Sequence, residues 1–401
     1  METISKKKSI TTSFVMFALV ILMLLFVATP IQMNLGMAGV LITELIFLAM
    51  AIVGTLIMKG SFKEVFPLKK PHVRQIFGTI FLWIGFYFVI LFSTILIGYL
   101  FPESMNQTST GMMNIMSSVP FPVRFLIVAV SPAICEEAVH RGFILHYLKP
   151  INKKWAIVLI MAVLFGLFHL DPTRFLATAI LGGVITYVAL ETGNIFYAFL
   201  LHLINNTLSV VATLAVENVD LEASSATAYT LPVVGTYLMI LCISPWFIWA
   251  GISLLRPKDA EKKFATWKKV VTCVVISVVC VVAGMGITTV SMLNTAVVNV
   301  TEQTTIADLE NQPYTHEFDI AEEGSHQLTV GLTTVTGSIH VTLEDENGTV
   351  IYETASKQFT GNIPLELSSG HYTLKAEFSN EDGESYSGES PVILTFMMLK
   401  L

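Results

Sequence analysis

The 401-residue chain is 53% hydrophobic and 13% charged, with mean hydropathy +0.68. A soluble domain carries about 25% charged residues, so a single soluble globule and a disordered chain are both excluded. The net charge of −7 conceals a split: residues 1–293 hold 20 Lys/Arg against 13 Asp/Glu, and residues 294–401 hold 3 against 17.

In chain order, nine apolar runs approach the length that a helix needs to cross a hydrocarbon core of roughly 30 Å. They are about 13–33, 37–58, 76–100, 121–148, 154–170, 174–191, 194–216, 232–255 and 270–292. The first follows Lys6, Lys7 and Lys8. Its apolar stretch exceeds the ~7–15 residues of a signal core, so it is expected to be a retained helix. Lys and Arg remain on the cytoplasmic side of a membrane. The basic segments are the N-terminus, the loop with Lys59, Lys63, Lys69, Lys70 and Arg74, the turn Lys149–Lys154, and the loop from Arg256 to Lys269. With nine spans all four fall on one side. The opposite loops are poor in Lys and Arg: one carries only Glu103, another carries Glu217, Asp220 and Glu222, and Arg174 is a mild exception. The expected protein is an integral, multi-pass cell-membrane protein with a cytoplasmic N-terminus. Cys135, Cys242, Cys273 and Cys280 lie in apolar runs without a CxxC spacing, so they read as buried side chains.

From about residue 314 the period changes to alternation, as in Ser338–Leu343 and Val392–Phe396, which reads as half-buried strand. Asn347-Gly348 predicts a hairpin, and Ser369-Gly370 and Asp382-Gly383 mark turns. The expected organisation is an all-α polytopic membrane bundle of about nine helices over residues 1–293. A polar linker follows at 294–313, then a small acidic, extracytoplasmic β-sandwich of six to eight strands at 314–401. His316, His326, His340 and His371 are scattered through that last part and read as ordinary strand or surface histidines.

Ionisable residues inside spans are costly and usually functional. The fourth span carries Glu136-Glu137-Ala138-Val139-His140-Arg141. Residues four apart share a helix face, so Glu137 sits over Arg141 and Glu136 over His140. The fifth span ends Phe165-Gly166-Leu167-Phe168-His169. Glu136 and His169 are equidistant in sequence from the basic turn, roughly 25 Å along each helix, so they can face each other. The seventh span carries His202 and Asn206 on one face near mid-depth, with Asn205 pointing elsewhere. Glu44 reads as structural or cavity-lining, Arg124 and His146 as snorkelling or capping, and Glu191 as solvated.

A buried glutamate is a competent general base. Glu136, assisted by His169, would take a proton from water, the hydroxide would attack a peptide carbonyl, and His202 and Asn206 would donate to the oxyanion. Ser131 and Cys135 lack a base placed as in a triad.

The three segments resemble the motifs of the CPBP (CAAX protease and bacteriocin-processing, or Abi) intramembrane proteases: EExxxR as Glu136, Glu137 and Arg141, FxxxH as Phe165 and His169, HxxxN as His202 and Asn206. The resemblance covers about residues 120–210. It implies an intramembrane endopeptidase in which Glu136 and His169 activate water, His202 and Asn206 stabilise the oxyanion, and Glu137, Arg141 and Phe165 order the site. The C-terminal β-domain departs from the minimal family pattern. Relatives are often named metalloproteases. If zinc is bound, Glu136, His169 and His202 would ligate it; without an HExxH helix, and with Asn206 suited to an oxyanion, metal-free chemistry is favoured. The expected partners are membrane lipid and a membrane-associated protein or peptide, with no nucleic acid. The alternative is a non-catalytic scaffold or bacteriocin-immunity protein that binds a peptide or partner in the same cavity.

Overall fold

A computed structural model describes residues 5–216, 229–256, 266–380 and 387–400. Glu217, Asp220, Glu222, Lys258, Lys262, Lys263 and Asp382-Gly383 lie outside the described residues. The chain divides into two compact units, Met1–Ile287 and Thr288–Leu401.

The first unit is helical. Its helices are α1 (Lys6–Leu35), α2 (Met37–Ile57), α3 (Val73–Leu100), α4 (Pro102–Ser117), α5 (Phe121–Ile151), α6 (Lys154–Phe168), α7 (Pro172–Thr192), α8 (Phe196–Val216), α9 (Leu231–Leu255) and the start of α10 (Thr266–Thr295). Among the described residues seven helices are long and apolar enough to cross a membrane, or eight if α4 and α5 count as one span bent by 117°. Of the nine expected runs, α6 is the shortest helix. Its 15 residues cover about 22 Å at 1.5 Å per residue, short of a hydrocarbon core. That shortness leaves the helix-ending His169 within the unit instead of beyond its far surface.

Several basic segments meet at one end of this unit. Lys154 pairs with Glu191, and Arg256 Nε lies 3.7 Å from the same carboxylate. The Lys69 N–H donates to Asn194 Oδ1 at 3.1 Å, and Asn194 Nδ2 donates back to Lys69 O at 3.0 Å. Glu191 is therefore ion-paired, not merely solvated. Arg124 does not snorkel. It is buried, with Nη1 donating to Thr213 Oγ1 at 2.6 Å.

The second unit holds eight strands: β1 (Ala296–Thr305), β2 (Tyr314–Ile320), β3 (Gly324–Thr334), β4 (Ser338–Asp345), β5 (Val350–Ser356), β6 (Gln358–Leu367), β7 (Gly370–Ser379) and β8 (Pro391–Lys400). They form two four-stranded antiparallel sheets, β1-β8-β3-β6 and β2-β7-β4-β5. Inward residues of both sheets, among them Leu328, Val341, Leu374 and Phe396, make one apolar core, the arrangement of a sandwich. Asn347-Gly348 closes the β4–β5 hairpin; Gly348 adopts φ 77°, and Asp345 Oδ1 accepts from the Asn347 and Thr349 N–H groups. The expected linker 294–313 is a correction. It supplies β1, which pairs with β8 along Ala296–Thr305, and a short helix α11 (Ile306–Asn311) closed by a Thr305–Asp308 capping box.

Candidate active site

The site grows from an interruption in α5. Pro132 has no N–H, so carbonyls one turn back lose their helical donor. Ser131 Oγ donates to Ile127 O at 2.8 Å, and Asn206 Nδ2 from α8 donates to Val128 O at 3.2 Å. π-helical turns flank this point, at Phe125–Val130 and Ala138–Ile144. Such turns release backbone groups and re-aim side chains. The proline in one helix thus fixes the asparagine of another. Asn205 Nδ2 donates to Asn206 Oδ1 at 3.3 Å, which settles the orientation of the Asn206 amide and leaves its second N–H unused.

Glu137 is the hub. Its Oε1 accepts from Arg141 Nη1 and from His202 Nδ1, both at 2.8 Å, and its side chain is fully buried. Arg141 Nη2 donates to Gly182 O at 2.7 Å, and the guanidinium lies 4.5 Å from the centre of the Phe165 ring. Gly182 is required here: a Cβ would come within 2.5 Å of the Phe165 Cβ, which cannot swing aside. Phe165 meets the rings of His140, His169 and His202 edge-on at 5.1, 5.1 and 5.8 Å. One aromatic side chain therefore holds residues from all three motifs.

His169 ends α6 and turns its ring onto the orphaned carbonyl of Phe165, Nδ1 to O 2.9 Å. A carbonyl only accepts, so Nδ1 carries the proton and Nε2 offers a lone pair. Leu170, at φ 53°, turns the chain sharply into α7. His202 likewise uses Nδ1 on Glu137, which leaves Nε2 free to face a ligand.

Glu136 is buried, and its Oε2 has no partner. No hydrogen bond joins it to His169 among the described residues. The expected Glu136–His140 relation is made with backbone: His140 Nδ1 bonds Glu136 O at 2.9 Å. Glu44, on α2, brings a second buried carboxyl group beside Glu136. Periodicity assigns Glu44 no such role; its one signal is a lone acid inside an apolar span. Among the described residues no three of His, Cys, Asp and Glu converge as metal ligands.

Residues 118–208 match the family model for type II CAAX prenyl endopeptidase Rce1-like proteins. No curated protein matches the chain. Among solved structures, a family two carbohydrate esterase from Cellvibrio japonicus is 16% identical over 26% of this chain, with a TM-score of 0.13, and carries no argument about fold. The match spans about a third (34%) of that structure's chain. Residues 118–208, which hold all three motifs of this multi-pass membrane protein, are thus similar to the CAAX-protease family.

Proposed function

We propose that the chain is an intramembrane endopeptidase that hydrolyses peptide bonds of a membrane-associated protein or peptide by a metal-free, glutamate-activated water. The observation that carries this reading is a buried carboxylate oxygen without a partner among the described residues, Glu136 Oε2, in a helix whose neighbours present the Nε2 edge of His202 and the second amide N–H of Asn206. Glu136 takes a proton from a water that His169 Nε2 holds. The hydroxide attacks the carbonyl carbon of the scissile bond. Charge that develops on the carbonyl oxygen is met by the second N–H of Asn206 and by His202, whose Nε2 donates when the ring carries both protons. The C–N bond then breaks as the proton passes from Glu136 to the leaving amine. Glu137, Arg141 and Phe165 hold these groups in place.

The shared end of Lys69, Lys154, Arg256 and Glu191 supports a cytoplasmic assignment for that end, and with it an outward β-unit. The decisive experiment compares membrane and secreted peptides from cells that carry the wild type, Glu136→Gln or His169→Ala. A set of peptides that disappears in both variants is expected. Unchanged peptides and full cellular function in both would sink the reading.

A further inference from the structure

A groove of 320 Å³ lies between α3, α6, α7 and α9, and none of the three motifs contributes to its lining. Val158, Ala162, Ala179, Gly183 and Ile252 are among its walls, and no charged side chain among the described residues lines it. A Cβ on Gly183 would come within 3.3 Å of the Ala162 Cβ, so α6 and α7 close its floor. Small residues on both helices keep the space above that floor open. From Trp155 to Ala162 it follows α6 for about 10 Å at 1.5 Å per residue.

The end of the groove at Trp155 is polar. Trp155 and Tyr187 stack there with ring centres 5.7 Å apart, and Trp155 is 63% exposed. Rings of this amphipathic kind settle at the headgroup level of a bilayer. Lys154 Nζ lies 4.0 Å from the centre of the Tyr187 ring and pairs with Glu191. Arg256 Nε lies 3.7 Å from the same carboxylate. Lys69 Nζ stands 3.5 Å from the place that a Cβ on Gly193 would take, two residues beyond Glu191. Among the described residues Glu191 is the one carboxylate that Lys154 and Arg256 pair with. One acid against three cations leaves a surplus of two positive charges at the mouth of an apolar groove.

Lipid tails are as apolar as leucine, so the groove alone selects nothing in a membrane. The charge at its mouth does select: it favours a hydrocarbon chain that carries an anion at one end. Basic pockets between membrane helices take phosphate headgroups in this way. We propose that the groove holds one acyl chain of an anionic phospholipid, with the phosphate on Lys154, Arg256 and Lys69 and the Trp155 ring beside the first carbons of the chain. A free phosphate would meet the cations and leave the groove empty. Phosphatidylcholine would fill the groove but bring its own cation to a cationic mouth.

The full-length protein in detergent is titrated with phosphatidylglycerol and phosphatidylcholine of identical acyl chains, and bound lipid is read by native mass spectrometry. Phosphatidylglycerol should bind about tenfold more tightly. That comparison within the wild type depends on no variant. Lys154→Gln combined with Arg256→Gln should remove the preference. Glu191→Gln, which takes away the competing carboxylate, should raise it about fivefold. Ala179→Phe, which fills the groove and leaves the mouth intact, should weaken the binding of both lipids. Glycerol 3-phosphate should not displace phosphatidylglycerol. Equal affinity for the two lipids, a preference that survives the double replacement, undiminished binding to Ala179→Phe, or displacement by glycerol 3-phosphate would overturn the proposal. Tighter binding of farnesol than of phosphatidylglycerol would assign the groove to an isoprenoid chain and overturn it as well.

Discussion

In the helical unit Glu44, Glu136, Glu137, Arg141 and His202 are all buried, while Phe26 and Met33 on its surface are 72% and 82% exposed. In the β-unit the ion pairs Lys375–Glu344 and Lys400–Glu322 sit at least partly in solvent, and the interior of Leu328, Val330, Leu374, Leu394 and Phe396 is apolar. The contrast follows from the surroundings each unit is suited to. In water, surface charge is cheap and an exposed pair contributes roughly 0–1 kcal/mol. In hydrocarbon, each internal charge is costly and must be satisfied by a neighbour. The β-unit's polar groups thus describe its solubility, whereas those of the helical unit describe its chemistry.

The strongest test of this contrast removes a charge from each unit. Glu137→Ala leaves Arg141 uncompensated and His202 without its acceptor. It is expected to destabilise the helical unit by about 3–5 kcal/mol and to abolish Glu136-dependent cleavage. Glu344→Ala, which breaks the pair with Lys375, should cost no more than about 1 kcal/mol. Thermal unfolding of the full chain in detergent measures both. Losses of similar size would mean that the two units do not differ in how they use charge.

A smaller effect separates the packing of the two units. Gly182→Ala places a methyl within 2.5 Å of the Phe165 Cβ, while Gly331→Ala on β3 meets the Thr395 Cβ at 3.3 Å. The first should cost about 1–3 kcal/mol and loosen the Arg141–Phe165 stack. The second should stay within about 1 kcal/mol, because the small clash is offset by a less flexible unfolded chain. If Gly182→Ala proves neutral in unfolding experiments, close approach of α7 to Phe165 is not what fixes the site.

Much of the site is legible in the sequence because helical periodicity pairs residues four apart. That spacing alone puts Glu137 with Arg141, and His202 with Asn206, on shared faces. Contacts between distant helices are not legible in this way. Glu44 has no periodic partner, and Asn205 falls off the motif face although it orients Asn206. The freed carbonyl behind Pro132 needs a π-helical turn that no local pattern announces. In the β-unit, alternation marks the strands from residue 314 onward. It misses β1 because Asn299–Thr305 is almost wholly polar and its partner β8 lies near the other end of the unit.

The smallest expected effect concerns a charge in water. His371 on β7 faces Asp319 on β2 in register, with Nδ1 2.8 Å from Asp319 Oδ1 and Nε2 3.7 Å from Glu317 Oε2. The hydrogen bond to Asp319 holds the imidazole pKa above its usual value, and the charges of Asp319 and Glu317 add to that shift. A histidine whose pKa is raised in the folded state stabilises that state while it is protonated. Its contribution is therefore complete below the unfolded pKa of about 6.5 and disappears as pH rises through the higher folded value. The β-unit's unfolding midpoint in the full chain should be lower in His371→Gln than in wild type at about pH 6, and the gap should close by about pH 9. A gap that stays constant across that range would assign His371 a packing role and remove its charge from the comparison. Sulfate or chloride at high concentration should narrow the gap at low pH, because this pair is exposed and screened; the buried Glu137–Arg141 pair should show little such response.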